Sequence, residues 1–270
     1  MAAVRVRAVV ADLDGTLVRR DFSVSRATVE ALVLLDEAKI PVVVATARTP
    51  PGLAHLRALG RHVRMAVCCS GAIGWLRAEN LRLWTDMFDP VVTKRVVELA
   101  MRCGAGAASY DGQIWRMTEE YEHLSPGQPQ GPLRVLVKPS ELAESPCCSM
   151  AIRHAGGDLM KIRDLLAADV AAASSHVGGT TVLDVMPPGV DKGTGTVRAL
   201  DYLGIEASGA ISFGDMPNDL PLFSVTARSY AIGCSDPVVA SSVDEVLDDV
   251  ELDGFSRKIF ELAESEWLVD

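Results

Sequence analysis

The chain holds 270 residues with a formal net charge of −10, 49% hydrophobic and 23% charged residues. This is a soluble globular composition, and the length allows one large domain or two smaller ones. The acidic balance leaves no sequence-wide basic footprint for nucleic acid or anionic membrane, no apolar stretch approaches bilayer length, and a local basic pocket for a phosphate stays open.

The first residues contain only a short apolar run broken by charges, which does not fit a signal peptide. "VRAVVA" (6–11) is rich in valine and predicts a buried parallel strand. It runs into Asp12 and Asp14, which strand alternation would point the same way while Leu13 turns into the core. Ser25 is a plausible N-cap, and Thr28, Ala31, Leu32 and Leu35 then follow helical spacing on one face. Pro41 blocks continuation, "VVVA" (42–45) predicts a second strand ending at Thr46, and "MAVCC" (65–69) a third ending at Ser70 and Gly71. Such alternation predicts βαβ units and an α/β fold with a doubly wound parallel sheet.

From about Thr85 the pattern changes. A helix over 90–102 is followed by short strands, a turn-rich "SPGQPQGP" (125–132), strands at 133–137 and 148–153, a helix over 158–170 and a strand at 180–185. This order predicts an inserted α+β domain over 85–185, with 1–84 and 186–270 forming the sheet domain; the proline-glycine stretch reads as a surface loop. Regular alternation then returns. "DKGTGTVRALDYLG" predicts a helix ended by Gly204, "AISF" a strand running into "GDMPND", "DLPLFSV" a helix with Pro221 early in it, and "YAIG" a last strand. The tail "SSVDEVLDDVELDG" reads as a solvated acidic face. The six cysteines, at 68, 69, 103, 147, 148 and 234, match no zinc spacing; reduced thiols and a cytoplasmic location are expected. His123 and His176 fall in the insert and are read as surface or core residues, "CGAGAAS" (103–109) lacks the strand and third glycine of a dinucleotide site, and Arg48 is read as a surface or salt-bridge residue.

Asp12, Thr46 and Asp215 each lie just past the end of an apolar strand, and Lys192 opens a helix. Ligands of open α/β sheets bind at the carboxyl ends of the strands, so the fold itself would gather these groups. Clustered aspartates repel unless a cation neutralises them, and oxygen ligands suit Mg²⁺ shared with a phosphate. One aspartate can then attack phosphorus, a neighbour can serve as acid and base, and a lysine and a hydroxyl can hold the phosphoryl charge. Each residue alone also has a bland reading. The paired aspartates can cap a turn, Asn218 and Asp219 can cap a helix, and Lys192 can be solvated, although a cation at a helix start opposes the dipole.

In this order "DLDGT", "VVVATAR", "GVDKGTG" and "GDMPND" resemble the four motifs of the haloacid dehalogenase superfamily, most closely its Cof-type phosphatases. The resemblance covers nearly the whole chain. It implies a Rossmann-like core with a cap domain that sets specificity, Asp12 as nucleophile, Asp14 as acid/base, Thr46 on the phosphate and Lys192 bridging nucleophile and phosphate. It also implies Mg²⁺ bound by Asp12, the Asp14 carbonyl and Asp215, with Asn218 and Asp219 completing the site, and Gly15, Ser70 and Gly71 facing phosphate or substrate. Asp14 points to phosphatases and phosphomutases, and the cap's place after the second motif favours hydrolysis of a small phosphorylated metabolite, a sugar phosphate or a phosphorylated cofactor. A phosphomutase and a non-catalytic phosphate sensor are the alternatives, and a monomer or homodimer is expected. Ser70 and Cys234 depart from the asparagines that Cof-type members commonly carry there.

Overall fold

A computed structural model describes residues 4–125, 131–156, 159–167, 170–177, 180–233 and 236–269. The proline-glycine stretch falls largely, and Cys234 wholly, outside the described residues.

The larger of two main sheets has eight strands. Ala8–Ala11 is central, between Val42–Ala45 on one side and Ala210–Gly214 on the other, both parallel to it. Val63–Cys68 continues the first side in parallel; Arg228–Ile232 and Glu245–Leu247 continue the second. The chain therefore winds outward one way from Ala8–Ala11 and later returns to wind the other way, which makes a topological switch point beside the central strand. An antiparallel hairpin, Ile73–Leu76 and Leu81–Thr85, closes the first edge.

Both faces of this sheet are covered, which is why its strands read as unbroken apolar runs. Val9 and Ala11 pack with Leu32 and Leu35 of helix Arg26–Glu37 and with Phe255 and Ile259 of helix Gly254–Glu264. Ala8 and Val10 turn to the other side, against Ala199 and Leu200 of helix Lys192–Tyr202. Ser25 caps the first helix by accepting the Thr28 amide, and Thr28, Ala31, Leu32 and Leu35 are its buried face.

The second main sheet has six strands from the middle of the chain, running Ala171–Val177, Thr180–Met186, Ser149–Arg153, Gly106–Tyr110, Ile114–Met117 and Leu133–Leu136 across its width. It is antiparallel except for its last pair. Helix Pro90–Arg102 covers one face, burying Val96, Val97 and Ala100 against Met150, Ile152, Leu183 and Val185. At their ends, Ala171–Val177 passes beside the turn Pro217–Asp219 and Thr180–Met186 beside the turn Cys69–Gly71.

The acidic tail is a largely solvated face, its carboxylates exposed or half-exposed, and it also carries ion pairs. Asp249 holds Arg20 through both carboxylate oxygens and Asp253 and Glu251 hold Arg19, because the tail folds back over the turn after the first strand, while Asp244 holds Arg228 at the start of strand Arg228–Ile232. The hairpin after Gly71 has no counterpart in the predicted elements. Its pairing register shifts just after Gly74, and that glycine is required because a Cβ there would lie 2.2 Å from the Trp84 ring.

Candidate active site

The first loop begins where Ala8–Ala11 ends, with the Asp12 amide donating to the Phe213 carbonyl at 2.8 Å. The chain then turns tightly. Leu17 and Val18 both donate to the Leu13 carbonyl, and the Gly15 amide donates to Val18. Gly15 has φ +86°, and a Cβ on it would lie 2.3 Å from Asp215 Oδ2, so only glycine lets this turn pass against that carboxylate. Its own N–H is consumed inside the turn, so what Gly15 supplies is space.

Asp12 is 6% exposed and Lys192 1%. Lys192 is brought in at the first turn of its helix, which Asp191 caps by accepting the Thr194 amide while Thr194 Oγ1 accepts the Asp191 amide. Its Nζ donates to Asp12 Oδ1 and to Asp219 Oδ1, each at 2.6 Å. Asp219 Oδ2 in turn accepts the backbone amides of Asp215 and Met216, both at 3.1 Å. Asp219 is thus fastened on both oxygens and fixes the turn that carries Asp215 and Asn218.

Asp14 takes a different partner. Arg48 donates from Nε at 2.8 Å and from Nη2 at 2.6 Å to the two Asp14 oxygens, and the Arg48 guanidinium also lies 5.6 Å from the Phe22 ring centre. Arg48 is therefore the salt-bridge residue expected, but its partner is a candidate catalytic group, a pairing that spacing along the chain does not disclose.

Thr46 is buried at the end of Val42–Ala45, its Oγ1 accepting the Arg48 amide at 3.1 Å. Its carbonyl accepts the Ser70 amide at 2.9 Å, joining the second and third strand ends. The turn that follows is strained: Cys69 and Ser70 have φ of 51° and 50°, and Gly71 has φ 119°. Left-handed non-glycine residues cost about 1–2 kcal/mol each and persist where neighbours hold them. A Cβ on Gly71 would meet the Asp191 carbonyl at 2.2 Å, so this turn lies directly against the cap of the Lys192 helix.

The electrostatics ask for a cation. Asp12, Asp215 and Asp219 each offer an oxygen within 4.8 Å of the others, three carboxylates facing the single ammonium of Lys192. Burial pushes Asp215 up to about 9, with Asp12 and Asp219 adding to the rise. Burial likewise raises Asp12 to about 7, opposed by Lys192. For Lys192 burial works against the charge, yet Asp12 and Asp219 outweigh it and hold the ammonium protonated. Asp215 Oδ1 and Asn218 Oδ1 are buried without a hydrogen-bond partner. Orphaned oxygens beside unneutralised carboxylates are the donor set of a hard divalent ion. Of the sequence candidates, Asp12, Lys192, Asp215 and Asp219 converge directly, with Asn218 in the same turn; Gly15 packs on Asp215, and Thr46, Ser70 and Gly71 form the adjoining wall.

His123 is exposed on helix Glu119–Leu124, and His176 sits in strand Ala171–Val177 opposite Thr181. Five of the cysteines are described and all are free thiols. No described helix is long and apolar enough to cross a membrane.

Residues 9–259 match the family model of haloacid dehalogenase-like hydrolases. The chain is 28% identical over 254 residues to a phosphoglycolate phosphatase of Halorubrum lacusprofundi, covering 93% of this chain and 95% of that protein. It is 26% identical over 245 residues to a phosphoglycolate phosphatase of Halobacterium salinarum, covering 90% and 92%. A solved sugar phosphatase of haloacid dehalogenase subclass IIB superposes with a TM-score of 0.84 at 17% identity over 95% of this chain and 99% of that one, a likeness of fold.

Proposed function

Because the chain belongs to the haloacid dehalogenase-like hydrolase family, we propose that it is a phosphatase that hydrolyses a small phosphate monoester through an aspartyl-phosphate on Asp12. The observation that carries this reading is the buried Lys192 ammonium shared by Asp12 and Asp219. It fixes Asp12 in place and opposes the burial-driven rise of its carboxyl, which favours the ionised form a nucleophile requires.

In the first half-reaction an Asp12 oxygen forms a bond to phosphorus as the bond from phosphorus to the ester oxygen breaks. Asp14 is the group placed to pass a proton to the departing oxygen, releasing an alcohol, a role that requires its carboxyl to leave the Arg48 ion pair first. In the second, Asp14 takes a proton from water as the water oxygen bonds to phosphorus and the acyl phosphate breaks, releasing phosphate and restoring Asp12. Lys192 and the Thr46–Ser70 wall bear on the oxygens where charge gathers. Asp12, the Asp14 carbonyl and Asp215 would hold Mg²⁺, supported by Asn218 and Asp219. When bound, the ion neutralises the carboxylates and the incoming phosphate together. The six-stranded unit acts as a cap that sets the leaving group accepted. The phosphoglycolate and sugar phosphatases among its relatives bracket the substrates to screen first.

The test is phosphate release from p-nitrophenyl phosphate with Mg²⁺ or with EDTA, beside an Asp12→Asn variant. Turnover is expected only with the metal, with Asp12→Asn slower by ~10⁴-fold or more while circular dichroism shows it folded. An acid-stable phosphoenzyme should form in wild type alone. Full activity in Asp12→Asn sinks the assignment.

A further inference from the structure

The strained turn at residues 69–71 forms one wall of the site, and its left-handed backbone must be held from outside. Trp84 Nε1 donates to the Gly71 carbonyl at 3.1 Å, from the edge strand Leu81–Thr85. The guanidinium of Arg198 lies 4.4 Å from the centre of the Trp84 ring, a close cation–π contact. Arg198 also forms an ion pair with the Asp86 carboxylate. The Asp86 amide donates to the Ala72 carbonyl at 2.8 Å, which closes the circuit on the same turn. Gly74 leaves the space the indole fills. Arg198 stands on the helix that Lys192 opens, so the circuit also ties the turn to that helix. None of these three side chains touches Asp12, Lys192 or Asp215, and none falls in the four motifs.

We propose that Trp84, gripped by Arg198, which Asp86 holds in turn, is a positioning residue that sets the phosphate-facing turn of residues 69–71 against the Lys192 helix. This rests on the proposed reading of Ser70 and Gly71 as phosphate or substrate contacts. Its consequence is specific. Loosening the grip lets the turn relax toward ordinary backbone angles and weakens phosphate binding, while Asp12, Lys192 and Asp219 stay bonded as before. The effect belongs in KM and in phosphate affinity, with kcat little changed.

Trp84→Phe keeps the ring under Arg198 and deletes the single donor. With p-nitrophenyl phosphate it is expected to raise KM, and the inhibition constant of inorganic phosphate, about 3- to 10-fold, the size of one neutral hydrogen bond. Arg198→Met, which frees the ring, should move both constants the same way, and the double variant should add little to the larger single effect. Thermal melts run alongside show whether each variant is folded, and calorimetric titration of phosphate reads the affinity without turnover. A folded Trp84→Phe protein with wild-type KM and wild-type phosphate affinity overturns the proposal, as does a fall in kcat and melting temperature with KM unmoved. A wild-type protein that binds phosphate but turns nothing over refutes the phosphatase reading instead; the calorimetric comparison then decides the role of Trp84.

Discussion

Removing the ammonium of Lys192 leaves Asp12 and Asp219 facing each other where water does not reach. Breaking a buried pair by deleting one partner costs about 3–5 kcal/mol, so Lys192→Met should lose that much stability in urea denaturation at pH 8 as well as its turnover. A catalytic lysine that were only a substrate contact would lose activity without that penalty, so the two measurements together report its second role. The residues of the site were legible because each announces itself locally: Asp12 and Asp14 before a glycine, Lys192 against the dipole at a helix start, Asp215 after an apolar strand. Their partners were not. Arg48 on Asp14 spans 34 residues and Trp84 on Gly71 spans 13, and neither separation carries a periodicity that a sequence displays.

At the scale of elements, the helix Lys192–Tyr202 owes its start to Asp191, and Lys192 owes its placement to that start. Asp191→Ala removes the side-chain half of a capping box and should cost about 1 kcal/mol in chemical denaturation. Because Lys192 is the next residue, kcat should fall further than the stability loss explains, and Asp191→Ser, which caps equally well, should restore most of it; equal activity in the alanine variant refutes this. The helices capped by Ser25 and begun by Pro90 and Lys192 were readable from cap, proline and apolar spacing, as were the strands of the parallel sheet, buried on both faces. The hairpin at Ile73–Leu76 and Leu81–Thr85 was not, since Gly74 and Arg82 break the alternation and the pairing depends on a tryptophan seated over a glycine. The middle strands carry alanine and serine where apolar runs are expected, so their order across the second sheet depended on tertiary contacts.

For the whole molecule, carboxylates held at about 7 and about 9 set how stability follows pH. Between the ordinary carboxylate range and those values the folded chain keeps protons that the unfolded chain has released. The metal-free protein should therefore lose stability as pH climbs from about 4 through 9. Mg²⁺ takes the place of those protons, so its rise in melting temperature should be larger at pH 8.5 than at pH 5.5, measured against EDTA controls; an equal rise at both would refute the assignment of the cluster to a metal. The same cluster carries a consequence for biosynthesis. Asp12 and its ammonium partner are 180 residues apart, and the central strand Ala8–Ala11 is flanked on one side by Ala210–Gly214. Translation delivers Asp12 first and its counter-charge only 180 residues later. Nascent chains stalled before residue 192 should therefore be inert however well their early helices have formed, and a fragment ending there should regain turnover only when supplied with the segment that carries Lys192, Asp215 and Asp219.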